Sequence, residues 1–179
     1  MGTSHPESRQ WSIEKIMAIK PKSILDVGAG SGTYYDALRN AGYSGRIDAC
    51  EIWQPYIEEF DLVNKYDDVY NTSIQNLSKS MTTFPEPNRP YDIVIFGDIL
   101  EHMTKEDALE IWDNLPKITN YSLITIPIIH YHQGEINGNP YEVHVKNDWS
   151  HEEVLESFSG IVDSWTGTIV GAYWADFTK

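Results

Sequence analysis

Asp26, Gly28, Gly30 and Gly32 stand at alternating positions, directly after a short apolar run, Ser23 to Val27, and before an amphipathic stretch. Where a strand turns into a helix at the carboxyl end of a parallel sheet, backbone must come close to a ligand, and glycine removes the Cβ that would block it. Glu51 closes the next apolar run, 51 − 28 = 23 positions beyond the first glycine. In such an architecture this is the ribose position. A carboxylate there accepts hydrogen bonds from two hydroxyls, and Ile52 and Trp53 beside it are placed to pack on an adenine face. The spacing is not Gly-x-Gly-x-x-Gly, because Gly32 comes one residue early and Thr33 stands where the third glycine belongs, which weakens a nicotinamide or flavin reading. Gly-x-x-x-x-Gly-Lys-Ser/Thr is absent too, so nothing supports a phosphate loop of the NTPase kind.

Histidine offers a second chemistry, since an imidazole with a pKa of about 6.5 suits a general base. Of the 6 histidines, His102 follows a fourth apolar run, and His130, His132 and His144 lie around a long polar segment after the fifth. Both segments leave the carboxyl ends of central strands, the edge where such sheets bind ligands, so His102, His130 and His144 are the candidates for one catalytic cavity. His5 and His151 read as peripheral.

These residues need elements to position them, and the hydrophobic periodicity supplies an alternation of short strands and amphipathic helices, the pattern of an α/β fold with a mainly parallel sheet. Trp11, Ile13, Ile16 and Met17 share one face of a leading helix that ends before Pro21. Strands are predicted over 23–27, 45–50, 68–71, 91–96, 122–126, 161–165 and 168–174. The last two form a hairpin turning at Thr166-Gly167, with the final strand antiparallel to the sheet. Helices are predicted over 34–40, 55–63, briefly around Leu77, over 105–115 behind Thr104 as cap, and to Ser157 behind Ser150. Residues 85–90, rich in Pro and Asn, read as a loop, and 127–148 as a second, longer one of the kind that carries function.

Length and charge bound what the chain does. Its 179 residues amount to about one domain, 1–179 with no second unit, and 41% apolar residues suffice for a core. The balance of 27 acidic against 13 basic side chains, net −14, opposes a nucleic-acid partner, which needs clustered Lys and Arg. A single cysteine, Cys50, allows no internal disulfide and fits a reducing, cytoplasmic location. No apolar stretch is long enough for a membrane span, and the first dozen residues lack a secretory signal.

Taken together, Ile24-Leu25-Asp26-Val27-Gly28-Ala29-Gly30-Ser31-Gly32, Ile47-Asp48-Ala49-Cys50-Glu51 and the run from Tyr91 to Met103 resemble the first motif, the second strand and the fourth strand of class I S-adenosylmethionine-dependent methyltransferases. The resemblance implies a Rossmann-like three-layer sandwich around a mainly parallel seven-stranded sheet, with S-adenosylmethionine as cofactor. It implies that Gly28, Ala29, Gly30 and Gly32 form the loop along the methionine part and that Asp26 helps to hold its amino group. Glu51 would bind ribose, Ile52 would pack beside it, and Asp98 would lie in the loop beneath the cofactor. Many relatives carry an acid after the third strand to meet the adenine amine; Ser73 stands there instead. Glu101-His102 recurs in the family across unrelated substrates, which suits a structural role in that loop as well as catalysis.

The acceptor is expected in the 127–148 loop, where Tyr131, Gln133, Glu135, Asn137, Asn139 and Tyr141 suit a small or medium polar molecule, sugar-like or peptide-like. Asp98-x-x-Glu101-His102 with His144 resembles the metal-dependent terminal ribose O-methyltransferases of small RNAs, but those have Glu where Asp98 stands and the net charge opposes RNA. No metal ligand is therefore assigned. A module that binds S-adenosylmethionine or a nucleoside without catalysis is the other alternative.

Overall fold

The central apolar runs become strands because they alternate their side chains between two faces that are both covered. In β1 (Ser23–Val27), Ile24 packs on one side and Leu25 and Val27 on the other; in β4 (Tyr91–Gly97), Ile93 and Ile95 oppose Val94 and Phe96. The computed structural model describes residues 5–81 and 89–179, so most of the expected 85–90 loop, 85–88, lies outside the described residues. The remaining strands are β2 (Arg46–Cys50), β3 (Val69–Tyr70), β5 (Thr119–Pro127), β6 (Ile161–Thr166) and β7 (Val170–Asp176). They form one seven-stranded sheet in the order β3-β2-β1-β4-β5-β7-β6. Pairing is parallel from β3 through β5, while β7 runs antiparallel to both β5 and β6.

Helices cover both faces. On one side lie α1 (Arg9–Ala18), α2 (Thr33–Asn40), α3 (Gln54–Glu59) and α4 (Leu62–Lys65), burying Ile16, Leu38 and Leu62 against Ile24, Ile47 and Ile93. On the other lie α5 (Ile74–Met81), α6 (Lys105–Asn114) and α7 (His151–Ser157), burying Leu77, Ile111 and Val154 against Leu25, Val94 and Phe96. The caps form as the sequence predicts: Thr104 Oγ1 accepts from the Asp107 N–H and Ser150 Oγ from the Glu153 N–H, each at 3.1 Å.

The expected helix over 55–63 is two helices, α3 and α4, because Asp61 adopts φ 53° and breaks the ladder between them. The long segment after β5 is also more ordered than a plain loop. Asn137 and Gly138 take φ 52° and 76°, and the Asn139 N–H bonds to the Ile136 carbonyl at 2.9 Å, a tight reversal of the kind Asn-Gly favours. Its two limbs are joined where the Tyr131 N–H meets Asn147 O and the His144 N–H meets Gln133 O.

Candidate functional site

The chain reverses its direction of winding between β1 and β4, which are neighbours in the sheet although two strands separate them in sequence. At the carboxyl ends of such a pair the connecting loops diverge and leave a crevice. A cavity of about 460 Å³ opens there, within the range of small-ligand sites.

Its first wall is the glycine loop. Gly28, Ala29 and Gly30 line the cavity, and the Gly28 N–H is tied to the Cys50 carbonyl at 2.7 Å. Gly28 has φ +65°, a conformation that favours glycine whatever the space, and an added Cβ would also displace the end of the Ile99 side chain. Gly32 lies outside the lining residues and caps α2 with φ 82°. Asp26 is outside it as well, contrary to direct contact with a ligand: its carboxyl is 3% exposed beneath the loop and accepts from Tyr66 OH at 2.7 Å. Burial pushes its pKa up to about 7.

Glu51 forms the next wall, and its orientation is set from both sides. One carboxylate oxygen accepts from the Gly30 N–H at 3.0 Å and the other from the Trp53 N–H at 2.8 Å, which leaves a lone pair on each for a ligand. Burial raises its pKa. Ile52, Thr72, Ser73, Ile74 and Gln75 continue the surface, with Ser73 Oγ also accepting from the Asn76 N–H at 3.3 Å. Trp53 is not in the lining; its ring sits 6.1 Å from Tyr141.

The far wall is built from the β4 loop and the 127–148 segment. A single 3-10 turn, Leu100–His102, presents Glu101 and His102, and Asp98 adopts φ 56° just before it. Asp98, Glu101, His102, Tyr131, Gln133, Glu142 and His144 all line the cavity. The His102 and His144 rings lie 4.9 Å apart, edge to face. Burial lowers both their pKa values, His102 to about 4, and raises those of Asp98 and Glu101. Although no metal ligand was expected, Glu101, His102 and His144 bring one ligand atom each to within 4.8 Å of one another.

His130 is not brought to this site. It is exposed and absent from the lining, as is His132, because the limb alternates: Tyr131 and Gln133 face inward and bond to the opposite limb while their neighbours point out. His5, read as peripheral, lines the cavity instead, and its backbone N–H donates to Asp98 Oδ2 at 2.6 Å. Glu7 fastens that segment, accepting from the backbone N–H groups of Thr168, Ile169 and Val170 at 2.7, 3.0 and 3.2 Å. No periodicity marks His5, since a long-range tether places it. The 127–148 hairpin did carry a readable signal, the Asn137-Gly138 pair.

Comparison with known proteins agrees with the fold. A family model of the methyltransferase domain matches residues 24–120, or 97 of the 179 positions. The chain belongs to this methyltransferase family, and its sheet and glycine-loop crevice are those of an S-adenosylmethionine-dependent methyltransferase. Among solved structures, an S-adenosylmethionine-dependent methyltransferase from Clostridium acetobutylicum superposes with a TM-score of 0.65 at 10% identity, over 97% of this chain and 92% of that one. The 1,6-didemethyltoxoflavin-N1-methyltransferase of Burkholderia thailandensis, solved with 1,6-didemethyltoxoflavin and S-adenosylhomocysteine, gives 0.63 at 15% identity over 95% and 78%. A longer protein from Nostoc punctiforme gives 0.61 at 14% identity; this chain covers 55% of its length, with 93% of its own residues matched. At these identities the likeness is one of fold. No curated protein matches the sequence.

Proposed function

We propose that the chain, acting as one methyltransferase domain, moves the methyl group of S-adenosylmethionine to a small polar acceptor seated against the 131–144 hairpin. The observation that carries this is one continuous cavity joining the Gly28–Gly30 loop and Glu51 to His102, Tyr131 and His144. Gly28, Ala29 and Gly30 pass along the methionine part, with Gly32 turning the loop into α2. Glu51 binds the ribose hydroxyls with its two spare lone pairs. Ile52 and Ser73 border the adenine, and Asp98 lies below the transferring methyl. Asp26 acts through the loop, its charge drawn toward the cofactor ammonium rather than touching it.

Electrostatics favour this cofactor over a polyanion. Glu51, Asp98, Glu101 and Glu142 line the cavity, and no Lys or Arg does among the described residues. Such a field attracts a sulfonium and an ammonium and repels a phosphate chain. The sulfonium carries its own leaving group, so the protein's share is alignment, exclusion of water and removal of a proton from the acceptor. His144 and His102 are neutral at pH 7 and able to take that proton. The described helices include none long and apolar enough to cross a membrane, and the amphipathic lining suits a dissolved small molecule, sugar-like or peptide-like.

Titration calorimetry with S-adenosylmethionine and S-adenosylhomocysteine, in chelator, tests the reading directly. Both should bind, and Glu51→Gln should weaken them by about 1.5–3 kcal/mol, roughly ten- to 150-fold. Absence of binding would remove the cofactor, and unchanged affinity in the variant would remove Glu51 from the ribose site.

A further inference from the structure

Glu101 is 1% exposed, and neither of its carboxylate oxygens meets a donor from another residue. A buried acid in that state is costly unless something else satisfies it. Its neighbours are not donors either. The Nδ1 of His102 lies 3.2 Å from the Val143 carbonyl and that of His144 lies 2.8 Å from the Tyr131 carbonyl. A carbonyl only accepts, so each Nδ1 carries the ring proton and each Nε2 turns out a lone pair. Lys146, the nearest cation in sequence to His144, is committed to Asp148 and Glu153.

The three side chains thus form a convergent set of acceptors: one carboxylate and two imidazole lone pairs. A proton shared between Glu101 and a ring does not satisfy them, because no Glu101 oxygen makes a hydrogen bond to either imidazole. A cation satisfies all three at once. The backbone carbonyls behind both Nδ1 atoms are the second partners that orient a metal-binding histidine. Metal bonds of about 2.1 Å span about 4.2 Å between opposite ligands, so the 4.8 Å cluster need close by only about half an ångström.

We propose that Glu101, His102 and His144 hold a divalent cation at the acceptor end of the cavity, and that an oxygen of the acceptor completes its coordination. Two nitrogens and one carboxylate favour a first-row ion such as Mn2+, Co2+ or Zn2+ over Ca2+. With the ion bound, both Nε2 lone pairs are occupied, so the imidazoles take the acceptor's proton only in the metal-free chain. The ion's role in seating an oxygen-bearing acceptor rests on the methyl-transfer reading; the ion's binding does not. Tyr131 and Val143 belong to the two limbs of the 131–144 hairpin, so the segment that shapes the acceptor pocket also aims the ligands.

Co2+ serves as the probe, because its visible absorption reports bound nitrogen and oxygen ligands. The full chain should take up one equivalent with a saturable band. Glu101→Gln and His144→Gln should each weaken uptake at least about tenfold, while Asp113→Asn, an exposed acid on α6, should leave it unchanged. A chain without a saturable band, or with the same band in Glu101→Gln, overturns the site and assigns the uptake to the acidic surface. Binding of S-adenosylhomocysteine in chelator, measured on the same samples, shows that the variants are folded. A wild type that binds Co2+ but no S-adenosylhomocysteine would end the methyl-transfer reading and keep the metal site.

Discussion

Asp26 shows how one buried group carries a cost that only a ligand relieves. Its ordinary pKa of 3.8 rises to about 7 because the carboxyl is buried, with Tyr66 OH as its hydrogen-bond donor and Glu51 nearby raising it further. Between pH 3.8 and about 7 the folded protein keeps this proton and the unfolded chain has lost it, so stability falls as pH rises through that window. At about 1.4 kcal/mol per unit the loss is on the order of 4 kcal/mol by pH 8. Asp26→Asn keeps an acceptor for Tyr66 without the charge. It should therefore equal the wild type in chemical denaturation at pH 3.5 and exceed it by up to about 4 kcal/mol at pH 8. A wild type that is the more stable at pH 8 would mean that Asp26 is ionised and compensated. On the proposed reading the same substitution should lower affinity for S-adenosylmethionine, since the charge that costs stability would be the one drawn toward the ammonium.

Among the elements, the 131–144 hairpin forms the acceptor end of the proposed site. Its tip needs left-handed backbone at Asn137 and Gly138, and a Cβ at Gly138 would meet nothing within 4 Å, so a substitution there tests conformation without a clash. Gly138→Val should cost about 1–3 kcal/mol of local strain. In steady-state kinetics the acceptor KM should rise roughly tenfold while affinity for S-adenosylhomocysteine stays put, because the glycine loop and Glu51 belong to other elements. Equal loss of both would show that the hairpin supports the cofactor end too. From sequence alone the segment reads as a loop over 127–148. Its polar, turn-rich composition conceals two limbs that pair through backbone, and the inward positions emerge once Asn137-Gly138 sets the reversal.

At the scale of the molecule, the crevice exists because β1 and β4 lie side by side with helices on both faces of the sheet. Anything bound there touches the segments that follow five strands, β1 to β5, and resists unfolding of all of them. Ligand present at a hundred times its Kd adds about 2.7 kcal/mol to stability, which for a chain of this size is a rise in Tm of roughly 5–10 °C. Differential scanning fluorimetry with S-adenosylhomocysteine should show it. NADH should leave Tm unchanged, and a rise with NADH instead would restore the nicotinamide reading that the glycine spacing opposes.

Several features are local and were therefore present in the sequence. Strand runs with both faces apolar, the glycines that need positive φ, the Thr104 and Ser150 caps and the acid ending β2 each depend on residues a few positions apart. They suffice for the fold class, for the placing of Gly28, Gly30 and Glu51 at one edge of the sheet, and for the family. Other features depend on contacts between distant segments. The Glu7 bonds that bring His5 over Asp98 span more than 160 residues, the alternation that excludes His130 follows from pairing with the 144–147 limb, and the depth at which Asp26 sits follows from the packing of Tyr66 across the loop. Tertiary structure alone turned Glu101, His102 and His144 toward one point, because two of the three owe their direction to carbonyls 13 and 41 residues away.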